Sequence, residues 1–416
     1  MSAFLLALWV MLIGADRIDL IGGAGNFVLT PYLALTPLVV VSELVRRRLE
    51  GRQLRLAPRA LVYGAIAGAL VTVVLTSVVD ALDIATSSAR ALLLAADVGG
   101  TFVVLLLCRD RPDVARTLAR GAAACLLLFV IFDVVEVLWW VGNAPETMRI
   151  GTIVAHFGAL QNVGPIPRLA GPVSDANRSG FVLLFYGLLI AFGEPRPLLR
   201  RIALTLVGAL LLATISRSAW LGALAMLLVA GLHWKGRVPL TMALAGTLVL
   251  ASGLALFLAK PDLVGRVSSV VTTPATQRLS ANEGSAQSHV ALIERGLVDA
   301  TESVPNALVG IGYGNSHLVL QDVFPGNKYG NFHSLYVSMF AESGVFALVL
   351  VVILMLTPLI AGGPWRPLIA GAVVFNVFYQ TPTEPAFWFA LAAAWLAIPT
   401  RVWPAARGNG YEVFTR

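Results

Sequence analysis

Asn331-Phe-His-Ser-Leu-Tyr-Val-Ser-Met-Phe-Ala-Glu-Ser-Gly-Val345 is where a long polar loop gives way to an apolar helix. It places His333 at that junction. Outward from it, nearly everything else is apolar. The 416-residue chain is 57% hydrophobic and only 13% charged, with a mean hydropathy of +0.81. Soluble domains carry about a quarter charged residues. The shortage of charge sets the class: an all-α polytopic membrane protein. Cys108 and Cys125 lie in apolar runs without metal-ligand spacing and read as small buried hydrophobes. No metal site and no cofactor are expected. The first apolar run lacks a basic n-region and a small-residue cleavage site, so it reads as a membrane helix and not a leader.

A helix crossing about 30 Å of hydrocarbon needs roughly 20 apolar residues. By that rule the chain holds twelve spans, approximately 2–22, 27–45, 59–79, 88–108, 119–142, 178–194, 198–214, 217–233, 238–258, 333–358, 366–382 and 386–402. Residues 1–259 carry the first nine, 260–332 form one large outer loop with helical segments, 333–402 carry the last three, and 403–416 are a tail. The first span is weak, because Asp16, Arg17 and Asp19 crowd its end. Lys and Arg collect in cytoplasmic loops. With the N-terminus inside, the inner segments hold Arg46, Arg47, Arg48, Arg52, Arg55 and Arg59, then Arg109, Arg111, Arg116 and Arg120, then Arg196, Arg200, Arg201, Lys235 and Arg237. Both termini are then cytoplasmic. The net charge of +7 is topological and implies no nucleic acid.

Two outer segments are long. Residues 143–177 contain an amphipathic run, Ile150–Val163, expected to lie along the membrane interface. In the large loop a helical run is expected from about Ser285 to Ser303, with Val290, Ile293, Leu297 and Ala300 as its apolar stripe. Gly310-Ile-Gly-Tyr-Gly314 lacks the strand and helix of a nucleotide-binding glycine run and reads as a flexible turn lining a cavity.

The outer face offers few groups for chemistry. Arg217, in Thr214-Ile-Ser-Arg-Ser-Ala-Trp-Leu221, stands between two apolar helices. A guanidinium grips phosphate oxygens as a fork, so it suits a lipid diphosphate; the alternative is a snorkelling headgroup anchor. A neutral His333 can accept a proton near pH 7; the alternative is a satisfied interfacial histidine. Glu342 lies two turns down the same helix, to orient a partner or to fill a polar pocket. In Asp175-Ala-Asn-Arg-Ser179, Asp175 is an N-cap, and Asn177 and Arg178 are candidate phosphate or glycan ligands. Arg278, His289 and Arg295 are further candidates in the loop. Asp97, Asp133 and Glu136 fall inside spans, where an Arg partner would make them structural and its lack a proton path.

Two of these stretches resemble the O-antigen ligases and polymerases of the bacterial envelope. Arg217-Ser-Ala-Trp-Leu221 is similar to the family's Arg-x-x-x-Leu motif. His333-Ser334, nine residues, then Gly344-Val-Phe-Ala347 resembles its His-polar and Gly-x-x-Gly pair, with Ala in place of the last Gly. Pro305 through Gly314 resembles its proline-glycine turn. Where the family has an Arg opening the loop helix, this chain has His289, with Arg295 two turns on; the second phosphate ligand stays open between the loop bases. The resemblance covers about 170–360. It implies a metal-independent, inverting membrane glycosyltransferase of the GT-C type in the bacterial inner membrane, its site facing the periplasm. The donor would be a glycan on polyprenyl diphosphate, and the acceptor lipid A–core (ligase) or another lipid-linked repeat (polymerase). His333 would be the base and Arg217 the diphosphate ligand. From another class, a twelve-helix transporter or flippase would use Asp97, Asp133 and Glu136 for coupling, but would not gather its polar groups on one outer face.

Overall fold

The structure, a computed structural model, describes residues 2–20, 29–54, 56–140, 142, 144–157, 162–163, 166–233, 284–321 and 330–398. The expected span 238–258, the first part of the large loop with Arg266 and Arg278, Lys328, and the tail lie outside these residues. Helices form at α1 (Ser2–Leu12), α2 (Pro31–Leu49), α3 (Pro58–Ser77), α4 (Ile84–Cys108), α5 (Val114–Trp140), α6 (Ala176–Gly193), α7 (Pro197–Ala213) and α8 (Arg217–His233). The loop adds α9 (Gly284–Thr301), α10 (Val304–Val309) and α11 (Ser316–Val319). The chain then forms α12 (Leu335–Ala361), α13 (Arg366–Phe375) and α14 (Pro385–Leu396). Proline in the first turn opens α2, α3, α7, α13 and α14, where its missing N–H costs nothing. Among the described residues, α3, α4, α5, α6 and α12 are long and apolar enough to cross a membrane; α1, α8, α13 and α14 are apolar but shorter. This is a multi-pass membrane protein.

Several expectations change. The first span stops at Leu12, because Asp16 and Arg17 are drawn to partners outside the helix: Asp16 accepts from Ser174, and Arg17 pairs with Glu136. Glu136 is thereby structural. In place of an interfacial run over Ile150–Val163, strands β2 (Thr147–Ile150) and β3 (Ile153–His156) form a hairpin across Gly151, and β1 (Ile18–Asp19) pairs with β3. Gly151 supplies the positive φ (62°) that the tight turn requires. Short β4 (Asn162–Val163) and β5 (Ile166–Pro167) follow. On α9 the inward face is Leu292, Gly296, Asp299 and Ala300, while Val290 and Leu297 are exposed. Ala300 of the expected stripe is buried, but the face as a whole is turned toward Gly296, which a hydrophobic pattern does not register and which admits Phe332 and Val337 against the helix.

Side-chain ties sort the helix ends into two groups. Arg111 bonds Ser2 (3.0 Å) and pairs with Glu43 (2.6 Å), Arg47 pairs with Asp110 (2.7 Å), and Arg59 donates to the Ile398 carbonyl. The start of α1, the end of α2, the start of α3, the α4–α5 turn and the end of α14 therefore share one arginine-rich end. The opposite end gathers the α1–α2, α5–α6, α7–α8 and α13–α14 connections.

Helix α12 is broken at Gly344 (φ 79°, ψ 176°). The break leaves the carbonyls of Ala341 and Glu342 without helical donors. The N–H groups of Ile311 (2.9 Å) and Gly312 (3.0 Å) take them. The Glu342 carboxylate accepts from the N–H groups of Gly314 (3.0 Å) and Ser316 (3.2 Å). The glycine run is thus a latch seated on the break, not a flexible turn. A methyl on Gly344 would overlap the Leu308 carbonyl, and one on Gly310 (φ 84°) the Glu342 backbone. Gly344→Ala is expected to cost at least ~2 kcal/mol through clash and backbone strain. Gly68→Ala, with open space at its Cβ inside α3, should be neutral or stabilising by up to ~1 kcal/mol. Thermal unfolding in detergent compares the two; equal midpoints would refute the latch.

Candidate functional site

Among the described residues, Ile215 (φ 48°) and His333 (φ 50°) are the only non-glycine residues with positive φ. A β-branched residue rarely adopts that region. Strain that persists needs surroundings that hold it, and such residues concentrate at sites of action. Both lie at the end of the bundle opposite the arginine-rich one.

Ile215 sits in the α7–α8 turn, with Arg217 opening α8 two residues later. The Arg168 guanidinium holds that turn. Its Nε donates to the Thr214 carbonyl (3.0 Å) and its Nη2 to Asn177 Oδ1 (2.9 Å). Ser216 Oγ donates to the same Asn177 oxygen (2.8 Å), and the Leu169 N–H to the Ala213 carbonyl (3.2 Å). Asn177 is itself fixed: Asp175 caps α6, accepting from the N–H groups of Asn177 (2.7 Å) and Arg178 (3.2 Å). The expected cap is present.

His333 is carried by the α13–α14 hairpin. Its backbone N–H donates to Asn331 Oδ1 (2.8 Å), a local Asx turn. The Leu335 N–H bonds the carbonyls of both Asn376 (3.0 Å) and Tyr379 (2.9 Å). The imidazole meets Tyr379 edge-on, with ring centroids 5.7 Å apart. Burial lowers the His333 pKa below its ordinary value; the Asp175 carboxylate pulls it up and the Arg168 guanidinium pushes it down. The ring is therefore neutral at pH 7, the form that accepts a proton.

The other candidates are placed as follows. Arg178 bridges Asp16 (2.8 Å) and Glu384 (3.1 Å) and donates to Ser174 (2.8 Å), so two carboxylates answer its charge. Arg295 pairs with Asp299 on its own helix (2.8 Å), one residue from the point where Gly296 meets Phe332. His289 belongs to α9, but its side chain lies outside the described residues, as does Arg278. Arg168 and Tyr379 also belong to the site, and no motif in the sequence singles them out. For Arg168 the available signal was a cation directly after Pro165-Ile-Pro167, a stretch whose backbone proline restricts.

Residues 202–352 match the O-Antigen ligase family. They run from α7 through the large loop into α12 and take in Arg217, His333 and the Gly344 break. These residues form a domain of the O-antigen ligase family, a family of enzymes. No curated protein matches the chain. Arg168, Asn177, Arg178 and Tyr379 lie outside the matched stretch, so the ligase-family region meets the rest of the chain at the candidate site. Lipid-linked glycans are the general substrate class of such ligases.

Asp175→Asn keeps a capping side chain but removes the charge that raises the His333 pKa. Its imidazole titration, followed by NMR, should move to lower pH. Asp175→Ala should add a loss of about 1 kcal/mol in thermal unfolding from the lost cap.

Proposed function

We propose that this O-antigen ligase family enzyme joins a glycan, delivered on polyprenyl diphosphate, to an acceptor hydroxyl at the outer face of the inner membrane, with lipid A–core as the acceptor. In this reading, which the excess of Lys and Arg in the short loops supports, the arginine-rich end is cytoplasmic and both termini lie there. The observation that supports the proposal is that Arg168, bonded across the strained turn that leads into Arg217, also acts electrostatically on the strained His333.

The chemistry follows from the donor. A sugar diphosphate already has a good leaving group. The enzyme has to deprotonate the acceptor and balance the charge of the departing diphosphate. His333 takes the proton from the acceptor hydroxyl as its oxygen attacks the anomeric carbon. The bond to the diphosphate breaks on the opposite face, which inverts the centre. Arg217 receives the developing negative charge through its fork, in the manner of an oxyanion site. Arg295, His289 and Arg278, from the large loop, are the proposed second ligands for that diphosphate. Asn177 and Arg178 form the wall against which the first sugar rests. Guanidinium groups supply the positive charge in this scheme, so it needs no metal.

His333→Ala should abolish glycan transfer in proteoliposomes while the protein stays in the membrane; normal turnover would remove His333 as the base. Arg217→Lys keeps the charge and loses the fork. Transfer should drop by roughly tenfold or more, the scale of a lost bidentate contact, and unchanged turnover would mark a plain headgroup anchor. In the wild type the acid limb of the rate should fall below the ordinary histidine value, since burial lowers the His333 pKa and protonation removes the base. A deletion strain that accumulates full-length glycan on its carrier supports ligation; single repeats on the acceptor would point to polymerisation.

A further inference from the structure

Arg168 is buried, stands outside the family-matched stretch, bonds the turn ahead of Arg217 and acts electrostatically on His333. Its bonds straddle the strained Ile215: one goes to the carbonyl just before it, the other to an amide oxygen shared with the hydroxyl just after it. A flat guanidinium can satisfy two acceptors at a fixed angle; an ammonium is a point charge and cannot reproduce that geometry. The strain at Ile215 therefore needs this clasp, and Arg217 begins its helix immediately beyond it. The same cation lowers the His333 pKa through its charge. Among the described residues, the titratable groups acting on or meeting His333 include Asp175 ahead of α6, Arg168, and Tyr379 in the α13–α14 connection. On α9, which packs against Phe332, Arg295 and Asp299 are paired with each other.

We propose that Arg168 is a positioning residue of the transfer site, clasping the 214–217 turn through Thr214 and Asn177 so that Arg217 is presented correctly, and holding a fixed positive charge beside His333. The proposal rests on the function proposed above for its catalytic consequence, but not for its geometry. It makes two separable demands. The clasp needs the fork; the effect on His333 needs only the charge.

The test compares Arg168→Lys and Arg168→Gln with the wild type in nanodiscs. Two readouts are used: glycan transfer against pH, and the NMR titration of the His333 imidazole, assigned by its loss in His333→Ala. Arg168→Lys should lower kcat by roughly ten- to a hundredfold, the effect of a misplaced diphosphate ligand, with the acceptor KM and the His333 titration little changed. Arg168→Gln should lower kcat similarly and also move both the titration and the acid limb to higher pH, by about half a unit or more, because the cation that opposes protonation is gone. A merely structural arginine would lower the yield of folded protein without moving either pH readout. The assignment is overturned if Arg168→Lys keeps the wild-type kcat, or if the His333 titration is the same in Arg168→Gln and the wild type. Should the wild type form no glycosidic bond while the titration shifts as described, the proposed reaction fails and the charge of Arg168 beside His333 stands.

Discussion

A charge buried among apolar helices must find its partner inside the protein, because lipid offers none and leaving it alone costs several kcal/mol. That requirement organises the end of the bundle where the candidate site lies. Arg17 reaches Glu136, Arg178 reaches Asp16 and Glu384, and Arg168 reaches Thr214 and Asn177. All of these ties but the one from Arg168 to Asn177 join segments far apart in the sequence. Together they draw the end of α1, the end of α5, the start of α6, the α7–α8 turn and the α13–α14 hairpin into one corner. Hydrophobic contact alone is non-directional and would hold these helices side by side without setting their ends in register.

The second organising feature is the break in α12. A continuous helix from Leu335 would keep its carbonyls to itself. The positive φ of Gly344 releases two of them, and the large loop returns to bind there through Ile311 and Gly312. Glu342, which on sequence was either an orienting group or pocket filling, is consumed in fastening this latch. Arg90 adds a bond to the Gly314 carbonyl (2.8 Å), and Ser77 accepts from the Tyr313 N–H (3.2 Å), so α3 and α4 also hold the returning loop. The Gly344 break and the glycine run at 310–314 thus have a mechanical role, two to three turns from His333, in fixing the loop to the membrane helix that follows the imidazole.

The site joins a family-matched region to a segment that is not matched. Arg217 and His333 lie in the matched stretch; the residues that hold the turn of one and face the other come from 168–178 and from the α13–α14 hairpin. Burial lowers the His333 pKa, and the Asp175 carboxylate and the Arg168 guanidinium act on it in opposite directions.

Composition and hydropathy by themselves determined the class, the positions of most helices and the place of the polar loop, because a helix in lipid must bury its own backbone bonds and needs a contiguous apolar run to do it. The motifs around Arg217 and His333 were also legible, since each is a local pattern at a span end. What only the tertiary structure decided depends on partners that no local window contains. The early stop of α1 follows from Asp16 and Arg17 finding residues 174 and 136. The turned face of α9 follows from the room that Gly296 leaves for Phe332. The hairpin at 147–156 pairs with Ile18–Asp19. Arg168 was a lone cation among prolines until the fold brought Thr214, Asn177 and His333 around it. Periodicity reports which side of a helix is apolar; which buried charge meets which is a question of three-dimensional distance, and only the folded chain answers it.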